Sequence, residues 1–322
     1  MSDAVVPHHG EEDAPARPGA GRLRRALDSD IFYSFRRSKL TMAAAVATLL
    51  FFLLAIFASW LSVQNPFDPA QLQLMNSRIP PLWTADGASP FLLGTDEQGR
   101  DVLSAILYGL RISLAVGVLG VIVSGALGIV LGLVAGYFGG AIDSVIMRIA
   151  DVQLTFPAIL IALLVNGIAK SLLGNRLDET SVLGVLVVAI GLSFWVQYAR
   201  TVRGSVMVEK NKDYVAAAQL IGLPAPTIML RHVLPNTTGP ILVIATINLA
   251  LAIITEATLS FLGSGMPDTM PSLGTLIRIG NNYLFAGEWW IVAFPGIALA
   301  SLILSINLLG DWLRDALNPK LR

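Results

Sequence analysis

The fold is decided by the stretch ISLAVGVLGVIVSGALGIVLGLVAGY, residues Ile112–Tyr137, which contains no charged side chain. A helix of this length measures about 39 Å, more than the ~30 Å hydrocarbon core of a bilayer. Five further apolar stretches are also long enough to cross that core. The sequence therefore predicts six transmembrane helices, near Thr41–Val63, Ile112–Tyr137, Val145–Ile168, Val182–Thr201, Gly239–Leu262 and Trp289–Leu313.

The composition argues against a water-soluble globule. Hydrophobic residues make up 54% of the chain and charged residues 14%, and the mean hydropathy is +0.68, whereas about a quarter of a typical soluble domain is charged. The net charge of +0 gives no reason to expect a nucleic-acid partner. The chain has no cysteine, and its histidines, His8, His9 and His232, are too scattered for a metal site. We predict an all-α membrane protein without a metal centre.

Composition also divides the chain outside these stretches. Residues 1–30 mix Pro, Gly and charge without a period, which predicts a disordered cytoplasmic tail. Residues 31–40 place aromatic side chains beside cations, as in an amphipathic segment on the inner membrane surface. The remaining predicted units are a first transmembrane helix at 41–63, an extracytoplasmic loop at 64–110, a core of five transmembrane helices at 111–311 and a cytoplasmic tail at 312–322.

The distribution of cations predicts the orientation. With the N-terminus inside, 16 of the 22 Lys and Arg residues fall on the inner side. Cytoplasmic loops carry an excess of these residues. We therefore expect both termini in the cytoplasm.

Glycines in the second predicted helix indicate how it packs. Gly128, Gly132 and Gly136 are four residues apart and share one helix face. This spacing favours a seam where another helix comes close. The alternative is the ordinary glycine enrichment of membrane helices. Neither interpretation identifies a cargo.

A few polar residues fall inside the apolar stretches, where they are costly and often functional. Arg148 and Asp151 are spaced i, i+3, which favours an internal ion pair at the inner end of the third helix, with a role in a polar pathway as the alternative. Asn248 and Glu256, two turns apart, either line a polar path or bond to other helices, and the sequence leaves both open. Pro157 predicts a kink in the third helix.

The inner loop at 209–236 has alternating order that a simple tether would not need. Asp213 is a candidate N-terminal cap of a short helix through Ala216–Ala218, and Gly222 is a candidate C-terminal cap. Helix is expected to resume at Thr227–Leu234, before Pro235. A short helix with a sharp stop suits docking into the groove of a partner.

This loop resembles the cytoplasmic "EAA" loop of type I ABC importer permeases, whose coupling helix docks on the ATPase subunits. Ala216-Ala217-Ala218 followed by Gly222 matches the Glu-Ala-Ala…Gly spacing, although Ala216 stands where the motif has Glu. Leu234-Pro235 matches its closing Leu-Pro, and His232 and Asn236 are similar to the ending of the peptide-importer branch. The resemblance implies ATPase-coupling roles for Asp213, Tyr214, Ala216, Ala217, Ala218, Gly222, His232, Leu234 and Pro235.

Three further blocks resemble the C-type permeases of dipeptide, oligopeptide and nickel importers: Leu92–Leu114, Thr255–Ile277 and Phe294–Arg322. Ser264 and Leu273 depart from that pattern, which has Leu and Trp there. The resemblance implies a type I ABC importer permease (MetI-like) fold in a bacterial cytoplasmic membrane. The segment 94–111, which lies within the first block, is interpreted as a shaped extracytoplasmic element near the face that meets the binding protein. The alternative is a passive loop.

The chain has no G-x-x-x-x-G-K-[ST] motif for holding phosphates. We therefore expect no enzyme activity of its own and no directly bound cofactor, with ATP used by partner subunits. The resemblance implies a second homologous permease, two ATPases, an extracytoplasmic solute-binding protein and surrounding lipid, and a peptide or related small solute as cargo. The alternatives are a stand-alone ion-coupled transporter or channel, and a non-transporting scaffold.

Overall fold

A computed structural model describes residues 35–36, 38–173 and 178–317. The predicted tail at 1–30, half of the segment at 31–40 and residues 318–322 lie outside the described residues. The described helices are α1 (Lys39–Ile56), α2 (Ala58–Leu61), α3 (Val102–Phe138), α4 (Gly140–Leu154), α5 (Ala158–Leu173), α6 (Glu179–Glu209), α7 (Asp213–Leu220), α8 (Ala225–Thr227), α9 (Thr238–Phe261), α10 (Leu273–Asn281) and α11 (Trp290–Ala316).

Five long helical segments of the described chain are apolar enough to span a membrane, or six spans if α4 and α5 count as one. In the described part of the chain, the single β-type pairing is the isolated bridge between Thr95 and Asp101. The all-α membrane class predicted from the sequence is confirmed.

The seam between α3 and α6 forms the centre of the bundle. A Cβ added at Gly128 would lie 2.3 Å from the carbonyl oxygen of Trp195, and one at Gly132 would lie 2.6 Å from that of Ala199. Only a residue without a side chain fits where backbone meets backbone so closely. The predicted glycine seam is confirmed, and its partner helix is α6.

The predicted third span, Val145–Ile168, is not one straight helix. It breaks after Leu154, and α4 and α5 meet at 94°. Pro157 lacks the N–H needed to continue the helix, and it disfavours helical geometry at Phe156. The sequence predicted the kink but not its size.

Helix α3 begins ten residues before the predicted start at Ile112. Asp101 is its N-cap, and its carboxylate accepts a hydrogen bond of 2.8 Å from the amide of Ser104. The predicted boundary at 110/111 therefore falls inside a helix, as does the second half of the segment 94–111. The charge of Arg111 does not end the helix because its guanidinium donates to the carbonyls of Ala55 and Ile56, each at 3.0 Å.

Residues 62–101 and 262–289 pack together at one end of the bundle and are called the lobe below. The Trp290 indole donates to the Thr95 carbonyl at 3.1 Å, and Arg78 pairs with Glu288 at 3.5 Å. The opposite end of α3 packs through Leu133 with Val215 and Ala218 of α7. The ~55 Å length of α3 thus separates the lobe from α7.

Candidate functional site

The coupling segment predicted from the sequence is an ordered structure that connects α6 to α9. Helix α7 starts after Lys212, which is its N-cap. The expectation that Asp213 caps the helix is wrong, because Asp213 already has helical geometry in the first turn. Its carboxylate there lies near the positive end of the helix dipole, which favours a negative charge.

The C-terminus of α7 is closed by a Schellman motif centred on Gly222. Gly222 has φ +79°, and its amide donates to the Gln219 carbonyl at 3.0 Å. The amide of Leu223 reaches back to the Ala218 carbonyl at 3.1 Å. These two bonds satisfy helix-end carbonyls, and the left-handed conformation favours glycine. Gly222 therefore occupies the cap position predicted for it.

Helix α7 buries one face and exposes the other. Val215 and Ala218 pack with Val202, Val206, Ile228 and Val233 in an apolar cluster. Ala216 and Ala217 face away from this cluster and are exposed. Beyond them Leu220 is 88% exposed and Ile221 75% exposed. This end of α7 presents small and apolar side chains, an arrangement suited to contact with another protein.

A hydrogen-bonded group joins the two ends of the segment. The Tyr214 hydroxyl donates to Glu209 Oε2 at 2.6 Å, and Asn236 Nδ2 donates to the Tyr214 oxygen at 3.1 Å. Asn236 also donates to the carbonyl of His232 at 2.8 Å. Burial, and next the Glu209 carboxylate, raise the pKa of the Tyr214 phenol, so it remains a neutral donor at neutral pH.

Helix resumes at Ala225, two residues before the predicted start at Thr227, and it continues in irregular form through Pro235. It runs from α8 through a π-helical turn, Ile228–Val233, and a 3-10 turn, Leu234–Thr237, into α9. Leu234 is half-buried and Pro235 exposed. π-Turns often mark functional positions in helices. The Lys210 ammonium adds a further tie, donating to the Gly136 carbonyl of α3 at 2.7 Å.

The predicted ion pair between Arg148 and Asp151 is wrong. Asp151 pairs with Arg200 of α6, and Asp143 accepts a two-point contact from Arg203, with Nη2 to Oδ2 at 2.6 Å. Arg148 is exposed and forms no ion pair with any described residue. Arg200 and Arg203 of α6 thus pair with acids of α4 on the neighbouring helix. The i, i+3 spacing within one helix does not reveal such pairs between helices.

Asn248 and Glu256 are both fully buried in α9. Glu256 bonds across helices, because it accepts a hydrogen bond of 2.8 Å from Ser113 of α3. The Asn248 side chain lies beside the buried Tyr198 hydroxyl of α6. Of the two interpretations left open, the structure favours bonding between helices for Glu256.

The described residues contain no group of three or more His, Cys, Asp or Glu arranged to hold a metal ion. The α7 end of the bundle presents a surface of exposed small and apolar side chains. It combines a capped helix, an exposed apolar end and a hydrogen-bonded base.

Comparison with known families gives two matches. Residues 128–322 match the family described as binding-protein-dependent transport system inner membrane component. Residues 29–81 match the N-terminal transmembrane domain of oligopeptide transport permease C. Together these matches cover residues 29–81 and 128–322.

Individual relatives match along nearly the whole length. The dipeptide transport system permease protein DppC of Haemophilus influenzae is 36% identical over 293 residues, 91% of this chain and 95% of the relative. The protein of the same name from Escherichia coli K12 is 39% identical over 294 residues, 91% of this chain and 93% of the relative. A solved inward-facing structure of the MetNI methionine ABC transporter is similar with 18% identity and a TM-score of 0.49, over 67% of this chain and 96% of that one.

Proposed function

Because the chain belongs to the family of binding-protein-dependent transport system inner membrane components, we propose how this permease subunit of an ABC importer works. With a second, homologous permease it forms the translocation path for di- or oligopeptides. Two ATPase subunits dock at the α7 end of the bundle. An extracytoplasmic binding protein delivers the peptide, and lipid surrounds the helices.

The observation that carries this proposal is the architecture of α7. It is a short helix with a defined stop at Gly222, and its outward end exposes Leu220 and Ile221. In chain order it follows the long helix α6 and is joined to the long helix α9 through α8 and the turns at 228–237. A displacement of α7 by a partner therefore acts on two membrane-spanning helices at once.

Contacts around α7 supply the physical route. Val215 and Ala218 pack into a cluster that includes Leu133 of α3 and Val206 of α6. Close packing of this kind transmits small displacements rather than absorbing them. When ATP closes the partner ATPases, α7 moves with them, and α3 and α6 follow along their glycine seam.

Energy for transport comes from the partner ATPases. The chain has no phosphate-binding loop, so it binds no ATP by that route, and the partner subunits bind and hydrolyse the ATP. Coupling then requires that α7 contact its partner differently in the two states of the transporter.

The test is purification of the complete transporter from the native host and reconstitution in proteoliposomes. We expect ATPase subunits to co-purify, and peptide uptake to require both ATP and the cognate binding protein. Uptake by the chain alone, driven by an ion gradient, would instead establish the secondary-transporter alternative. No uptake under either condition would leave the scaffold alternative. Mass spectrometry of the solute that the binding protein retains tests the peptide assignment.

The orientation is tested separately. The chain contains no cysteine, so a Ser2→Cys variant carries one reactive thiol. With both termini in the cytoplasm, a membrane-impermeant maleimide labels this thiol in inverted vesicles and not in intact spheroplasts. The reverse pattern would place the N-terminus outside.

A further inference from the structure

Glu256 is a buried acid to which the proposed coupling route assigns no role. It lies in α9, just over one turn before the end of the helix at Phe261, and is 0% exposed. No Lys, Arg or His of the described residues forms an ion pair with it. A buried acid without a cation depends on hydrogen bonds.

Three serine hydroxyls surround the carboxylate, including that of Ser272 in the lobe. Two of them, Ser113 and Ser260, donate close hydrogen bonds to it and also accept one. Ser113 of α3 donates to Glu256 Oε2 at 2.8 Å and accepts from the Leu273 amide at 3.3 Å. Ser260 donates to Glu256 Oε1 at 2.7 Å and accepts from the Met266 amide at 3.1 Å. Because a hydroxyl has one hydrogen, Glu256 sets the direction of both hydroxyls.

The amides of Met266 and Leu273 belong to the turn of the lobe at 262–272 and to the residue that directly follows it. Met266 lies inside this turn, and its carbonyl accepts a further bond of 3.1 Å from the Thr275 hydroxyl. Leu273 begins α10 directly after the turn. The carboxylate of Glu256 therefore holds both sides of the turn against α3 and α9.

The same turn connects to the other part of the lobe. The carbonyl of Asp268 accepts a bond of 3.0 Å from Arg100, which is only 1% exposed. Arg100 in turn binds Asp96 through its Nε at 2.5 Å. A small cavity of about 170 Å³ lies at this junction, lined in part by Gln98, Arg100 and Thr269. A chain of contacts thus runs from Glu256 in the bundle to the surface of the lobe.

We infer that Glu256 is a positioning residue that fixes the lobe for productive docking of the binding protein. This inference rests on the proposed function, because the binding protein is the partner expected at that end. A glutamine at 256 offers one acceptor oxygen and a donating amide. One of the two serines then loses its acceptor, and the turn loses one of its two anchors.

The test compares Glu256→Gln and Ser260→Ala with two matched controls in the reconstituted transporter. Glu179→Gln makes the same chemical change at an exposed position of α6. Ser305→Ala removes a buried hydroxyl that bonds only within its own helix, to Leu302 at 2.8 Å. Spin labels at Thr269→Cys in the turn, and at Met75→Cys elsewhere in the lobe, report local mobility in the cysteine-free background.

In both test variants we expect a more mobile label at 269 and an unchanged label at 75. Stimulation of the ATPase by the binding protein should fall about tenfold, which is the size of effect expected when one buried polar group loses its hydrogen bond. The basal ATPase rate of both test variants, and both rates of the two control variants, should remain as in the parent. A label at 269 as immobile as in the parent, or equal loss of basal and stimulated rates, overturns the inference.

If Glu256→Gln fails to assemble, Ser260→Ala decides the question, because it removes only one hydroxyl. Failure of the proposed function has a different signature. In that case the unmodified complex shows no stimulation by a binding protein, whereas the label at 269 still reports whether Glu256 holds the turn.

Discussion

At the scale of single residues, the decisive position is Gly222, where the backbone adopts φ +79° and a Cβ added to the residue would have no contact within 4 Å. A side chain there meets no steric clash, so its only cost is the left-handed conformation, roughly 1–2 kcal/mol for most residues. Asn tolerates this conformation better than β-branched residues do.

We therefore predict that Gly222→Val loosens the end of α7 and lowers both peptide transport and transport-linked ATPase activity, without preventing membrane insertion. Gly222→Asn should retain most of both activities. Reconstituted transport and ATPase assays, with expression in the membrane as a reference, measure the effect. Full coupling in Gly222→Val would remove this loop from the coupling mechanism.

The arginines near α4 offer a second comparison. Arg203 makes two parallel bonds to Asp143, whereas Arg148 is exposed and lacks an ion-pair partner among the described residues. We expect Arg203→Gln to lower the stability of the purified chain by about 1 kcal/mol, since the pair is partly exposed, and Arg148→Gln to change it little. Thermal unfolding in detergent measures both. Equal effects would mean that the pair does not stabilise the contact between α4 and α6.

At the scale of the elements, the seam between α3 and α6 sets the tolerance for substitution. A Cβ at Gly132 would press on the backbone of α6, 2.6 Å from the Ala199 carbonyl, whereas one at Gly204 of α6 has nothing within 4 Å. Backbone cannot move aside as a flexible side chain can. Gly132 and Gly204 therefore allow a matched comparison of the same substitution at a crowded and at an open position of the two helices.

We predict that Gly132→Ala destabilises the chain by about 1–3 kcal/mol, the usual range for overpacking. Gly204→Ala should be neutral or stabilising by up to about 1 kcal/mol, because alanine favours helix. Thermal unfolding and the yield of assembled transporter measure the difference. A neutral Gly132→Ala would show that α3 and α6 separate easily.

Apolar length and the glycine stop of α7 were readable from the sequence, whereas two helix starts and the contacts between distant segments were not. Gly222 was identifiable as a cap because glycine and the following prolines act locally. The right angle after Leu154 was not, because two short apolar helices and one long one share the same composition. Arg111 suggested a helix boundary, since its partners, the carbonyls of Ala55 and Ile56, lie on another helix. The bond from Ser113 to Glu256 spans 143 positions of the chain.

At the scale of the whole molecule, the question is whether α7 moves with the bundle or against it. Its buried face shares one apolar cluster with α3, α6 and the turn at 228–233. At the edge of this buried face, Gln219 Nε2 donates to the Tyr137 hydroxyl of α3 at 3.4 Å. Apolar packing and a hydrogen bond to the same end of α3 favour movement of α7 and that end of α3 as one rigid body.

We predict that joining α7 to α3 leaves transport intact. The variant Tyr137→Cys/Gln219→Cys places two thiols in a chain that otherwise has none, and a short bifunctional maleimide links them. Because the two elements move together, the linked transporter should retain peptide uptake and ATPase activity within about twofold of the unlinked one, the scale of a small change in a packed contact. Each single-cysteine variant, treated with the same reagent, controls for modification alone. Loss of uptake in the linked protein alone would show instead that α7 slides against α3 during each cycle.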